Sequence, residues 1–324
     1  MFRTSIQSVL PLVLAAGLTL PSQAQQLRNG VWAAEVIVVA TVNGVQPLGK
    51  DLIVHRLQTL RTLQGEAPER ISIVQDKRVS DSPVPVLGSP RICCLRPVTN
   101  KDLPEQFRPY FRMTGFAGDH PVVPAKAGEP STELEFVELL IRSERGLAPR
   151  EMGLGLTRIA LEGKGPARAE AIDVLRSRTT ARDTLNAVQK VALLSRAVGE
   201  TEDLALKCSL ASLCAELEMP EVIESLCLAM VQTGDPEFVR TVGRLARFVH
   251  REKATEVLGP QIARAREAEV RDRLIVALGA TRTKSALEAL LKMRERKDPS
   301  KAIDAALEAH GTARAIEAIG TKRK

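Results

Sequence analysis

The sequence predicts an α+β chain in which a small N-terminal β domain is followed by an α-solenoid of paired helices. Two observations predict it. Residues 268–293 place Val270, Leu274, Ala277 and Leu278 at i, i+4, i+7 and i+8, which is one helix face, and put Gly279 after them as a helix stop. Leu287, Leu290 and Leu291 then open a second apolar face. One such pair cannot bury its apolar surface alone, so neighbouring pairs must cover it. Upstream, residues 31–142 have a different texture: short β-branched runs between Pro- and Gly-rich connections, the pattern of a small barrel or sandwich.

Taken in order, the chain opens with Arg3, an apolar run from Val9 to Leu20, and the small-x-small triplet Ser22-Gln23-Ala24. These are the three parts of a secretory signal peptide over 1–24, with an apolar run too short to span a bilayer. The mature chain is expected to start at Gln25 and to be periplasmic or secreted. No later stretch is apolar for long enough to predict a transmembrane segment.

The β domain is expected over 25–145. Its first strand covers 34–42 and ends at Asn43-Gly44, a turn signal. Residues 52–55 lead a second extended stretch towards Gly65, and 70–74 alternate strictly as a half-buried strand does. A further strand covers 91–96, with Cys93 and Cys94 on opposite faces. The apolar run 134–141 fits a strand or a helix, and 77–90 and 103–132 read as loops.

A linker near 145–149 leads into the helical domain, 146–324. The expected pairs are 149–162 with 165–177, 181–197 with 201–217, 219–232 with 235–250, 252–266 with 268–279, and 283–295 with 299–309, closed by 312–319. Helix 235–250 carries one stripe, Phe238, Val242, Leu245 and Val249. Helix 201–217 carries two, Leu206-Leu210-Leu213-Leu217 and Leu204-Cys208-Ala211-Ala215, so it should be sandwiched between neighbours.

Two resemblances follow from these residues. A leading hydrophobic strand, then Leu63-Gln64-Gly65-Glu66 before a short Ile/Val strand, then 91–95, is similar to secreted bacterial domains with an OB-like barrel. Those domains in turn look like the inhibitor domain of the tissue metalloproteinase inhibitors. That family inserts an N-terminal Cys into a protease zinc site, whereas this mature chain would begin Gln25-Gln26, so the inhibitory mechanism is not carried over. The second half resembles HEAT-type repeats through Glu269-Val270-Arg271 followed by Ala277-Leu278-Gly279. A looser echo runs from Ala167-Arg168 through Ala171-Ile172 to Leu175. The resemblance implies protein–protein binding or scaffolding.

Recognisable catalytic chemistry is missing from the sequence. There is no G-x-S-x-G elbow, P-loop or H-E-x-x-H motif, and His55, His120, His250 and His310 are scattered singly. The cysteine spacings form no CxxC pair, so neither a metal nor any other cofactor is expected. Cys214 and Cys227 flank the turn near Met219-Pro220 and can close a small disulfide loop; the competing reading is that Cys208, Cys214 and Cys227 are small buried apolar residues. The net charge is +7, yet charges of both signs are interspersed, as in 264–269, and the only dense basic run is Lys322-Arg323-Lys324, read as a solvated tail. Nucleic acid is therefore not an expected partner. In a chain with 3% aromatic residues, Phe107, Tyr110, Phe111 and Phe116 sit together, interleaved with Arg108 and Arg112. Exposed, this segment suits a binding hot spot; buried, it supplies core that a small domain otherwise lacks. The expectation is an exported, non-enzymatic binding or scaffolding protein with an extracytoplasmic protein partner. The alternative is a hydrolase with a site at the domain junction near Asp119 and His120.

Overall fold

The structure is a computed structural model and describes residues 24–77, 87–99, 103–114, 123–124, 131–200, 203–295 and 301–320. Residues 1–23, where the signal peptide is expected, Phe116, Asp119-His120 and the basic run 322–324 lie outside the described residues. A first helix, α1 (Ala24–Ala33), precedes the strands β1 (Val36–Leu48), β2 (Leu52–Gln64), β3 (Arg70–Asp76), β4 (Pro90–Pro97), β5 (Tyr110–Met113) and β6 (Val123–Pro124). The sheet order is β1-β2-β3-β5-β4-β6, and β1 pairs with β4 as well as β2. All pairs are antiparallel except β3 with β5.

The first strand does not end at Asn43-Gly44. The register steps from Val42 opposite Leu57 to Gly44 opposite Arg56, which leaves Asn43 as the extra residue of a bulge. The strand continues to Leu48, and the turn falls at Gly49, whose φ of +67° suits a residue without Cβ. The β-branched run in β1 serves two cores at once. Val36, Val38, Ala40 and Val42 pack with Leu57, Ile71, Ile73, Cys93, Leu95 and Phe111, while Ile37 and Val39 join Ile92 and Cys94 in the core shared with the helices.

The helical half comprises α2 (Thr132–Glu144), α3 (Pro149–Glu162), α4 (Gly165–Ser177), α5 (Thr179–Arg182), α6 (Ala187–Gly199), α7 (Leu204–Glu216) and α8 (Glu221–Ala229). It continues with α9 (Pro236–His250), α10 (Ala254–Arg264), α11 (Ala268–Ala280), α12 (Lys284–Arg294), α13 (Ala302–His310) and α14 (Ala313–Gly320). The run 134–141 is thus helical. Ser131 caps it by accepting from the Leu134 N–H. The expected helix at 181–197 starts later, because Asn186 and Gln189 form a capping box that fixes the start of α6.

Packing runs from α4 to α7, α7 to α9, α9 to α11 and α11 to α13, and each of α7, α9, α11 and α13 also packs on the helix that follows it. The two-striped α7 lies among α4, α6, α8 and α9, and its residues from Leu206 to Ala215 are all buried. Gly279 is not a stop. It sits inside α11 where α13 crosses so closely that a Cβ would lie 2.0 Å from the Ala306 carbonyl oxygen. Gly243 in α9 is held the same way, 2.1 Å from the Ala277 oxygen. The helices of this run end similarly as well. Glu218, Arg251, Arg282 and Gly311 follow α7, α9, α11 and α13, and all four have positive φ.

Candidate functional site

The aromatic segment faces inward. Phe107 and Tyr110 pack with Val54 and Leu103, while Phe111, next along β5, turns to the opposite face and joins the Val36–Val42 core. All three rings are buried, and the Tyr110 hydroxyl donates to the Pro104 carbonyl at 2.7 Å. The Arg56 guanidinium lies 4.7 Å above the Phe107 ring, a cation–π contact that closes it off further. Arg108, Pro109 and Arg112 are exposed, and Arg108 is 3.5 Å from Glu105. Burial therefore takes Phe107, Tyr110 and Phe111 away from the surface, and of the two readings left open by the sequence these three rings follow the packing one.

All five cysteines are free and buried. Cys214 on α7 and Cys227 on α8 do not close the loop that their spacing allowed. Burial pushes the thiols of Cys93, Cys208, Cys214 and Cys227 up to about 12, and that of Cys94 higher still, so none is a nucleophile near neutral pH. Among the described residues no group of three or more His, Cys, Asp or Glu is placed to hold a metal ion. No described helix is long and apolar enough to cross a membrane.

At the junction of the two halves, α1 is held from both sides. Leu27 and Val31 enter the shared core, Thr114 donates to the Gly30 carbonyl at 2.8 Å, and Arg96 donates to that of Ala33 at 2.8 Å. From α4, the buried Glu170 carboxylate accepts the Leu27 N–H at 3.0 Å and the Arg28 N–H at 2.7 Å. Burial pushes the Glu170 carboxyl up to about 8, against the pull of these N–H groups and the Arg28 charge. Its two oxygens are already engaged in holding α1. A second buried charge, Lys207 on α7, donates to the carbonyls of Ala197, Val198 and Glu200, each at 3.0 Å, and so caps the C-terminal end of α6.

The feature with the geometry of a binding site is a cleft of about 680 Å³ bounded by α9, α11 and α13. Its apolar lining is small: Val239, Val276, Ala280, Ala302, Ala305 and Ala309. The close approach of the helices at Gly243 and Gly279 sets the spacing of these walls. Around them several of the charges are paired. Glu237 holds both Arg240 and Arg244, and Glu269 holds Arg273, whose guanidinium also donates to the Met230 carbonyl at 2.6 Å. The pairs follow helical spacing, Glu237 to Arg240 and Glu269 to Arg273, and ride on one face. Sequence reasoning missed this cleft. Its signals were the Ala302-Ala305-Ala309 spacing and the Glu/Arg pairs, which alone read as an ordinary solvated face.

Such a cleft carries no hydroxyl, amide or imidazole among its lining residues, so its chemistry is charge and small apolar contact. No protein-family model matches this chain, and no curated protein matches it in sequence.

Proposed function

We propose that the chain is an exported binding or scaffolding protein and that the α9–α11–α13 cleft takes a segment of a protein partner. The observation that carries this reading is the combination of a small-residue floor with a rim of paired charges of both signs. Small floor residues admit the side chains of an incoming segment, and rim ion pairs exchange partners at little net cost while fixing register. The helical half is read as a HEAT-like array. The recurrence of helix, positive-φ residue and helix at Glu218, Arg251, Arg282 and Gly311 supports that reading. The β half is read as an OB-like barrel, supported by the pairing of β1 with both β2 and β4 and by the parallel β3–β5 contact.

The test is affinity capture by the chain 25–324 from envelope and secreted fractions, alongside Ala305→Trp. Ala305 is exposed, so the indole fills the cleft without entering the core. A partner captured by the unmodified chain and lost with Ala305→Trp supports the reading. Equal capture by both chains, or none by either, sinks it. The hydrolase alternative rests on Asp119 and His120, outside the described residues, and no observation favours it.

A further inference from the structure

Charges that are dispersed along the sequence meet at one edge of the helical half. Arg247 lies in the last turn of α9, and the turn that follows carries Arg251 and Lys253 with Glu252 between them. Arg282 follows α11, Lys284 opens α12, and Arg314 lies in the first turn of α14. These turns are joined edge to edge. The Ser285 hydroxyl donates to the Glu252 carbonyl at 3.1 Å and lies 2.9 Å from the Thr255 hydroxyl, tying the first turn to the second. His310 Nε2 is 3.0 Å from the Thr283 carbonyl, and Arg282 Nε donates to the Ala309 carbonyl at 3.4 Å, tying the second to the third. Because successive turns lie roughly thirty residues apart, as in a repeat array, no window of the sequence shows the cluster.

Phe248 stands in this basic edge, 59% exposed, with Arg247 beside it in sequence and Arg251 three residues on, where the chain leaves α9. The ion pairs of the region run through Glu237, Glu269 and Glu288, and leave Arg247, Arg251 and Lys253 without a carboxylate partner among the described residues. Unneutralised cations around a protruding ring, on a row of turns, complement a surface that is anionic at the headgroups and apolar just beneath. We propose that this edge docks the chain onto an anionic phospholipid bilayer, with Arg247, Arg251 and Lys253 on the headgroups and Phe248 at the acyl boundary. Each basic residue near such a surface strengthens binding by about fivefold, screened by salt. Arg282 is shared with the cleft, but Arg247, Phe248, Arg251 and Lys253 do not line it, so substitutions at those four test docking apart from partner binding.

The experiment is co-sedimentation of the chain 25–324 with phosphatidylcholine vesicles and with mixed phosphatidylcholine–phosphatidylglycerol vesicles. Sedimentation with the mixed vesicles alone is expected, reversed by salt, weakened in Phe248→Ser, and reduced by at least about twentyfold in Arg247→Glu/Lys253→Glu, which removes and reverses two of the contributing charges. All three substituted residues are exposed, and a thermal melt verifies folding. Should the double reversal unfold the chain, Arg247→Gln/Lys253→Gln replaces it with the same expected direction. No sedimentation, equal sedimentation with neutral vesicles, or an undiminished double variant overturns the proposal. Binding of a labelled oligonucleotide in place of vesicles also overturns it and assigns the edge to nucleic acid.

Discussion

The Glu170 side chain accepts the backbone N–H of Leu27 at 3.0 Å across 143 residues of sequence. A buried carboxyl group on α4 therefore adds an acceptor near the N-terminal end of α1, where the helix dipole favours one. The arrangement places a titratable group in the core of the junction.

Its pH dependence has a definite sign. Burial raises the Glu170 carboxyl from 4.5 to about 8, so over that interval the folded chain keeps a proton that the unfolded chain releases. Stability contributed by this group is present in full below pH 4.5 and is lost as pH rises through about 8. Asp173, also raised by burial, acts in the same direction. Melting temperatures measured across this range should fall with pH, and the slope should shrink in Glu170→Gln. An unchanged slope in the variant would refute the assignment.

Close helix crossing makes two glycines irreplaceable and a third expendable. Gly279→Ala brings a methyl group to 2.0 Å from the Ala306 oxygen, so α11 and α13 must part, at a cost of about 2–4 kcal/mol. Gly243→Ala meets the Ala277 oxygen in the same way. Gly199 at the end of α6 has nothing within 4 Å of its Cβ position, and Gly199→Ala should stabilise by about 0.5 kcal/mol. Urea denaturation of the three variants distinguishes packing from propensity.

Lys207→Met retains most of the aliphatic stem and removes three charge-assisted hydrogen bonds from the end of α6. The expected loss is about 1.5–3 kcal/mol in chemical denaturation. A variant as stable as the parent would show that water replaces the ammonium there.

Thiol chemistry offers an independent check on the core. With all five cysteines buried and free, an aromatic disulfide reagent should label none in the native chain and all five after unfolding. Rapid labelling of Cys214 or Cys227 in the native chain would contradict the packing of α7 on α8.

Local signals made most of the helical half legible in the sequence. Pro149, Asp235-Pro236 and Gly311 mark helix ends where start and stop rules place them, and the double stripe of α7 announced its burial. Rules that depend on a neighbour failed. Asn43-Gly44 has the composition of a turn but sits in a bulge, because β2 continues alongside it. Gly279 has the composition of a stop but answers to α13. The cleft and the basic edge were hidden for the same reason: each is assembled from residues on successive turns or helices, and proximity along the chain does not record which of those are neighbours in space.

One apolar core contains Ile37, Val39, Ile92 and Cys94 from the strands together with Phe136, Leu140, Leu156 and Ile172 from the helices, with Leu27 and Val31 of α1 between them. A chain severed near Arg145 would leave each fragment with a greasy face and no cover, and the N-terminal piece would take α1 and α2 away from their seat on α4. The two halves differ in architecture yet share their interior. Expressed apart they should aggregate, and mixed before refolding they should complement each other as two strands of a single folding unit.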